Sequence, residues 1–385
     1  MSDSPHIGGF TAPGFGAVRE AFAENFNRPG PYQEVGAALA AYRHGRLVVD
    51  LWGGWADAAR TRSWERNTLV NVWSATKGAT ATALAALVDR GLIDYNDPVA
   101  SVWPAFAQAG KAETTVGQVL AHQAGLPGFI EPTTVEEQCD FAGCVAKLER
   151  QAPAWTPGSQ TSYHAMTHGW LAGEIIRRVS GRSPGAFLAE AVTGPLGADI
   201  FVGLPAAHED RVAEILPPKQ APDIDAMALP EVALMALTNP SQDPAAPNRR
   251  AWRAAEIPAA NGQASAQGLA RLYAALVGGG VLDGVRILSP TTITRMTALA
   301  APPGRRDHFL GFTDSWGMGM ALNSPGIYGR NPRAFGHSGW GGSFGCADPD
   351  AGVAIGYVCN QMGPELVGDP RTGGLCAAIM GCAGA

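Results

Sequence analysis

Ser74-Ala75-Thr76-Lys77 sets a hydroxyl three residues before an amine, at the head of a run of small and aliphatic residues that closes at Gly91. Residues three apart on a helix are side-by-side neighbours, so the lysine amine can reach the serine oxygen and serve as its base. A lysine is useful as a base only with a lowered pKa, and burial in such an apolar helix disfavours the ammonium form. The helix N-terminus favours negative charge developing on the serine. The implied chemistry is nucleophilic attack by Ser74 after proton loss to Lys77. With four lysines and sixteen serines in the chain, a Ser-x-x-Lys spacing arises by chance about 0.2 times. The competing reading is a serine N-cap followed by a surface lysine.

Two further segments weigh against that alternative. Pro157-Gly158-Ser159-Gln160-Thr161-Ser162-Tyr163 leads into a helical stretch through Glu174 to Gly181, and His337-Ser338-Gly339-Trp340-Gly341-Gly342 lies among short β-like runs. In this order and spacing the chain resembles, from about residue 15 to its end, the serine β-lactamase and penicillin-binding protein superfamily. Its nearest likeness is to class C β-lactamases and family VIII carboxylesterases. Gln118 to Pro127, and Asn261-Gly262 before the helix holding Leu269, Arg271 and Tyr273, are similar to the family's scaffold.

The resemblance implies that Tyr163 is the catalytic tyrosine, expected to take the proton from Ser74 together with Lys77. It implies that the backbone N–H groups of Ser74 and Trp340 form the oxyanion hole. His337, Ser338 and Gly339 stand where the family's Lys-Thr-Gly strand does, in a form met among esterases, and with Trp340 they would contact substrate. Trp73 and Trp340 flank two of the motifs, as apolar walls for a short acyl or alcohol group or as core.

Departures from the family shape the expected substrate. Tyr163-His164-Ala165 lacks the asparagine of Tyr-x-Asn, whose amide would grip a lactam side chain. His337 replaces a lysine and removes a permanent positive charge that would attract a substrate carboxylate. An alcohol leaving group needs less help from a general acid than an amide nitrogen. The expected activity is a serine carboxylesterase acting on small, short-chain esters through an acyl-enzyme. The alternatives are a β-lactamase or D-amino-acid-type peptidase or amidase on the same site, and a non-catalytic binding or sensor protein on the same fold.

Other signals read as structure. Gly341-Gly342-Ser343-Phe344-Gly345 and Gly181-Arg182-Ser183-Pro184-Gly185 both match Gly-x-Ser-x-Gly. The last histidine, His337, precedes Ser343, so the nucleophile–acid–histidine order of an α/β-hydrolase is impossible there. Ser183 before Pro184 reads as a helix N-cap. His122, before a Gly-Leu-Pro turn, reads as a loop tie. His164 and His168, four apart, lack the carboxylates and HExxH pattern of a metal site. No metal or cofactor is expected.

The elements that must position these residues follow from periodicity. Residues 15–27, 75–90, 165–179, 266–277 and 370–382 read as helices, and 36–56 as a hairpin around His44-Gly45. Short β-runs are expected near 316–322, 333–339, 342–347 and 353–359, while the Pro- and Asp-rich stretch 217–250 reads as a long connection able to act as a lid. The expected fold is α/β (α+β): an antiparallel sheet built from both chain ends and flanked by helices, with an inserted, mostly helical domain. Residues 1–84 and 303–385 would form the first unit and 85–302 the second, with the active site in the cleft between them.

Composition limits the partners. The chain has 385 residues, 46% of them hydrophobic, and a net charge of −6; its arginines are scattered, which gives nucleic acid no electrostatic footprint. Its N-terminus, MSDSPHIGGFTAPG, has neither a basic start nor an apolar stretch, and no run of eighteen apolar residues occurs, so membrane association and export are not expected. Six cysteines without CxxC or zinc-type spacing fit free thiols in a reducing cytoplasm. The partner expected is a small-molecule ester; oligomeric state leaves no trace.

Overall fold

A computed structural model describes residues 6–220 and 229–384. Its centre is a seven-stranded antiparallel sheet, ordered Ile7–Thr11, Arg46–Gly54, Gly36–Arg43, Val353–Cys359, Phe344–Asp348, Phe335–Ser338, Ala321–Leu322. The two chain ends meet where Gly36–Arg43 pairs with Val353–Cys359, in register from Ala37↔Cys359 to Arg43↔Val353. Apart from Arg43 at the end of the first, the two strands carry no charged residue because both faces are covered. Ala38, Ala40, Ala354 and Val358 face one core, while Leu39, Ala41, Ile355 and Tyr357 face another, the period-two split of a strand. Helix Ala266–Val277 covers the first face; Gly16–Asn27 and Pro370–Ala383 pack together on the second. The sheet from both ends, flanked by helices, is the architecture expected from the sequence.

The hairpin turns at His44 and Gly45, both with positive φ (47° and 74°), the two-residue turn that matches strand twist. Helix Thr76–Asp89 is buried on every side as far as Val88, which explains its lack of a polar face. Among the described residues, no helix is long and apolar enough to cross a membrane.

One strand was not foreseen and two expectations change. Ile7–Thr11 forms an edge strand on Arg46–Gly54, although its two glycines hide any β-pattern in the sequence. The run near 316–322 shrinks to Ala321–Leu322, because Trp316 turns its indole to a buried carboxylate. Within 217–250, residues 221–228 lie outside the described residues, but Glu231–Thr238 is a helix, not a loop. Its Ala233 and Ala236 pack in a cluster with Tyr163, Phe309 and Trp316, so this stretch backs the candidate site.

Candidate active site

The chain reaches Ser74 through the short strand Val70–Asn71 and a tight turn, Trp73–Ala75, that leads into helix Thr76–Asp89. Trp73 adopts φ 45°, a left-handed conformation costly for a bulky residue. Neighbours hold it there: Thr76 Oγ1 donates to the Trp73 carbonyl (2.5 Å) and accepts the Gly262 N–H (2.9 Å), and the Val72 N–H donates to the Gly262 carbonyl (2.9 Å). The Asn261-Gly262 segment thus braces the serine turn.

One helical turn along, Lys77 Nζ lies 3.1 Å from Ser74 Oγ. The amine also reaches the carbonyl oxygens of Ala165 (2.7 Å) and Ala259 (3.0 Å). Lys77 is fully buried with no carboxylate of the described residues against it, and this desolvation holds its pKa well below the ordinary lysine value. A surface lysine following an N-cap is not what the structure contains.

Tyr163 brings its ring within 4.8 Å of Lys77 Nζ and stacks on Trp316, with centroids 5.4 Å apart and planes 3° from parallel. Burial drives the phenol pKa well above its usual value; the Ser74 hydroxyl opposes the rise and the Asp307 carboxylate adds to it. Asp307, which the sequence reading missed, organises this side. Its Oδ1 accepts the N–H groups of Tyr163 (3.2 Å), Phe309 (2.8 Å) and Leu310 (2.9 Å), and its Oδ2 accepts the Trp316 indole N–H (2.7 Å). An acidic residue in the loop Arg305-Arg306-Asp307-His308 gives no periodic signal that could have identified it.

Near Tyr163, His122 and His164 bind backbone, and His168 packs on His122 with ring centroids 4.8 Å apart. His122 Nδ1 accepts the His164 N–H (3.1 Å), and His164 uses both ring nitrogens on backbone, accepting the Leu126 N–H at Nε2 (3.0 Å) and lying 2.7 Å from the Ser162 carbonyl at Nδ1. Burial lowers the pKa of all three, His122 and His168 strongly and His164 to about 4.

Across the cleft, strand Phe335–Ser338 places His337 and Ser338 on its lining. Burial, aided by Lys77, pushes the His337 pKa down to about 3, so the ring is neutral. Ser338 Oγ lies 3.3 Å from the Tyr328 hydroxyl. Gly339 passes so close to the serine turn that a Cβ would stand 2.1 Å from the Val72 carbonyl; it permits this approach and does not line the cleft. Among the described residues, the backbone N–H groups of Ser74 and Trp340 meet no hydrogen-bond acceptor. Trp340 lines the cleft, whereas Trp73 is core behind it, between Trp252 and Trp340. A substrate wall at Trp73 does not match this placement.

The cleft at Ser74 is small, about 40 Å³, and mostly apolar, with Leu310, Phe312, Leu322, Ile327 and Leu366 lining it together with Ser74. A wider cavity of about 500 Å³ adjoins it, and Ile327, Tyr328 and Ser338 line both. The two Gly-x-Ser-x-Gly serines lie elsewhere in structural roles. Ser343 Oγ accepts the Cys359 N–H (3.3 Å), and Ser183 caps helix Pro184–Leu188 while donating to Glu256 (2.6 Å).

Comparison with known proteins shows the family. The chain is 40% identical to the esterase/β-lactamase LipL of Mycobacterium tuberculosis (strain ATCC 25618 / H37Rv), over 95% of this chain and 86% of that protein. It superposes on the crystal structure of a family VIII carboxylesterase with a TM-score of 0.91 and 45% identity, covering 98% of this chain and 100% of that one. A penicillin-binding protein homologue from Caulobacter crescentus gives a TM-score of 0.88 at 42% identity, with 98% and 100% covered. Residues 22–375 match the β-lactamase family as a whole, and the chain therefore belongs to that family as one of its serine hydrolases.

Proposed function

We propose that the protein is a carboxylesterase that cleaves small esters through an acyl-enzyme on Ser74. The observation that carries this reading is the set of contacts around Lys77 Nζ. A neutral amine has two N–H bonds and one lone pair; with two carbonyl oxygens accepting the N–H bonds, the lone pair faces the Ser74 hydroxyl. Lys77 takes the serine proton as Ser74 Oγ attacks the ester carbonyl. Tyr163, kept as a phenol by burial, passes a proton to the leaving alkoxide and regains one from the Lys77 ammonium, so both groups return to their starting forms. The free N–H groups of Ser74 and Trp340 hold the oxyanion; water then gives a proton to Lys77 as its oxygen attacks the acyl carbonyl, and Ser74 Oγ takes that proton back as it leaves, releasing the acid.

Neutral esters suit the surroundings. His337 offers no positive charge to a carboxylate-bearing lactam, and the narrow cleft matches a short acyl or alkoxy group. The other arm of the ester has room toward the wider cavity past Ser338. We place the cleft at the seam between residues 1–84 with 303–385 and residues 85–302, since Ser74, His337 and Trp340 come from the former and Tyr163 from the latter. Six unpaired cysteines support a cytoplasmic setting. The test is turnover of p-nitrophenyl butyrate against nitrocefin: preference for the ester supports this reading, and preference for nitrocefin makes the protein a β-lactamase instead.

A further inference from the structure

The Trp340 amide can serve an oxyanion only if its peptide plane is held with the N–H turned into the cleft. We infer that Arg371, more than thirty residues along the chain, is the positioning residue that holds it there. The inference rests on the acyl-enzyme reading above.

Two linked peptide planes carry the argument. The Gly339 N–H donates to the Ser343 carbonyl (2.7 Å) and the Gly342 N–H to the Gly339 carbonyl (3.2 Å), which closes a turn around Trp340. In a trans peptide, C=O and N–H point in opposite directions. With its carbonyl drawn to Gly342, the Gly339–Trp340 peptide therefore turns the Trp340 N–H outward. The orientation of the Gly342 N–H depends in turn on the Gly341 carbonyl in the same plane. That carbonyl accepts from Arg371 Nη2 (2.7 Å) and from the Gly363 N–H (3.0 Å). Gly341 and Gly342 have φ values of 91° and 118°, so this loop has little intrinsic preference for one conformation and needs outside anchoring.

Arg371 is built to be immobile. Its side chain is 0% exposed. Nε and Nη2 form a fork on Asp369 (3.0 and 2.6 Å), and Nη1 donates to the Gln361 carbonyl (2.8 Å) and lies 3.1 Å from Glu34 Oε1. Glu34 in turn accepts from the Tyr357 hydroxyl on the central sheet. A planar guanidinium held by the Asp369 and Glu34 carboxyl groups fixes the Nη2 direction in a way a lysine cannot.

The test compares Arg371→Lys and Arg371→Met with the unaltered protein, using p-nitrophenyl butyrate and a short alkylboronic acid whose tetrahedral adduct on Ser74 requires the same donors. The expected result is a fall in kcat of about 10- to 100-fold, a comparable loss of boronate affinity and a KM within about twofold, since an oxyanion donor acts in the transition state. Circular dichroism confirms folding. A folded variant with unchanged kcat and boronate affinity, or with KM rising in step, overturns the inference. If both variants fail to fold, Gly342→Ala presses on the same pair, because its Cβ would stand 2.8 Å from Arg371 Nη2 and 2.9 Å from Asp369 Oδ2. The same split is expected there, and full kcat overturns the inference. Failure of the unaltered protein to acylate Ser74 defeats the acyl-enzyme reading itself; normal acylation with indifferent variants defeats only the role of Arg371.

Discussion

Asp307 ties Tyr163 to Trp316, the ring on which Tyr163 stacks: one carboxylate oxygen takes the tyrosine backbone N–H and the other the indole N–H. The phenol is thus located by its backbone and by its stacking partner, both fixed by one buried side chain. Asp307→Ala leaves the N–H groups of Tyr163, Phe309, Leu310 and Trp316 without that acceptor. A loss of about 3–5 kcal/mol in urea unfolding is expected, since buried N–H donors left without an acceptor cost about 1–3 kcal/mol each, partly offset by relaxation. Asp307→Asn keeps one acceptor oxygen but turns an NH2 group toward an N–H donor. It should cost about 1–3 kcal/mol and lower kcat by about 10-fold or more through misplacement of Tyr163.

Lys77 should reveal itself in pH dependence. Its folded-state pKa is depressed, so between that value and the ordinary lysine value the unfolded chain binds one more proton than the native protein. Stability contributed by this group therefore rises with pH across that window. Lys77→Met is expected to abolish ester hydrolysis yet raise the thermal midpoint at neutral pH, and to flatten the dependence of that midpoint on pH. Calorimetry at several pH values checks both.

His337 should leave no mark on the pH–rate profile. With its pKa pushed down to about 3, the ring stays neutral from pH 5 to 8. The ratio of ester to nitrocefin turnover should be constant over that range, whereas a limb near the ordinary histidine value would show a charged His337 at work.

Much of the site was legible because it is local. Ser74 and Lys77 share one helical turn, and the small and aliphatic residues on nearly every face of 76–88 already implied the burial of Lys77. The hairpin at His44-Gly45 and helix Ala266–Val277 were likewise encoded in near-neighbour spacing. What escaped is non-local. Asp307 and Arg371 owe their roles to partners 144 and 30 residues away, Tyr163 and Gly341, which no short window contains. Trp73 was ambiguous for another reason: a tryptophan beside a nucleophile reads alike as wall or core until its neighbours, Trp252 and Trp340, are in place. Helix Glu231–Thr238 was hidden by the prolines and aspartates on either side of it.

On the proposed reading, the cleft dimensions should set chain-length preference. Leu310→Ala and Leu366→Ala, which enlarge the narrow part beside Ser74, should raise the octanoate-to-butyrate ratio of kcat/KM by about 10-fold, the scale of small differences in apolar pocket fit. An unchanged ratio would place the acyl chain elsewhere.

Acylation of the nucleophile is the most direct test. The protein is mixed with p-nitrophenyl butyrate, quenched in acid during the burst and read by intact mass and peptide mapping. One butyryl group per chain on Ser74 is expected. Ser183→Ala and Ser343→Ala should carry the same adduct, and Ser74→Ala none. Product release without an adduct on Ser74, or an adduct mapping to Ser343 or Ser183, contradicts the assignment of Ser74 as nucleophile.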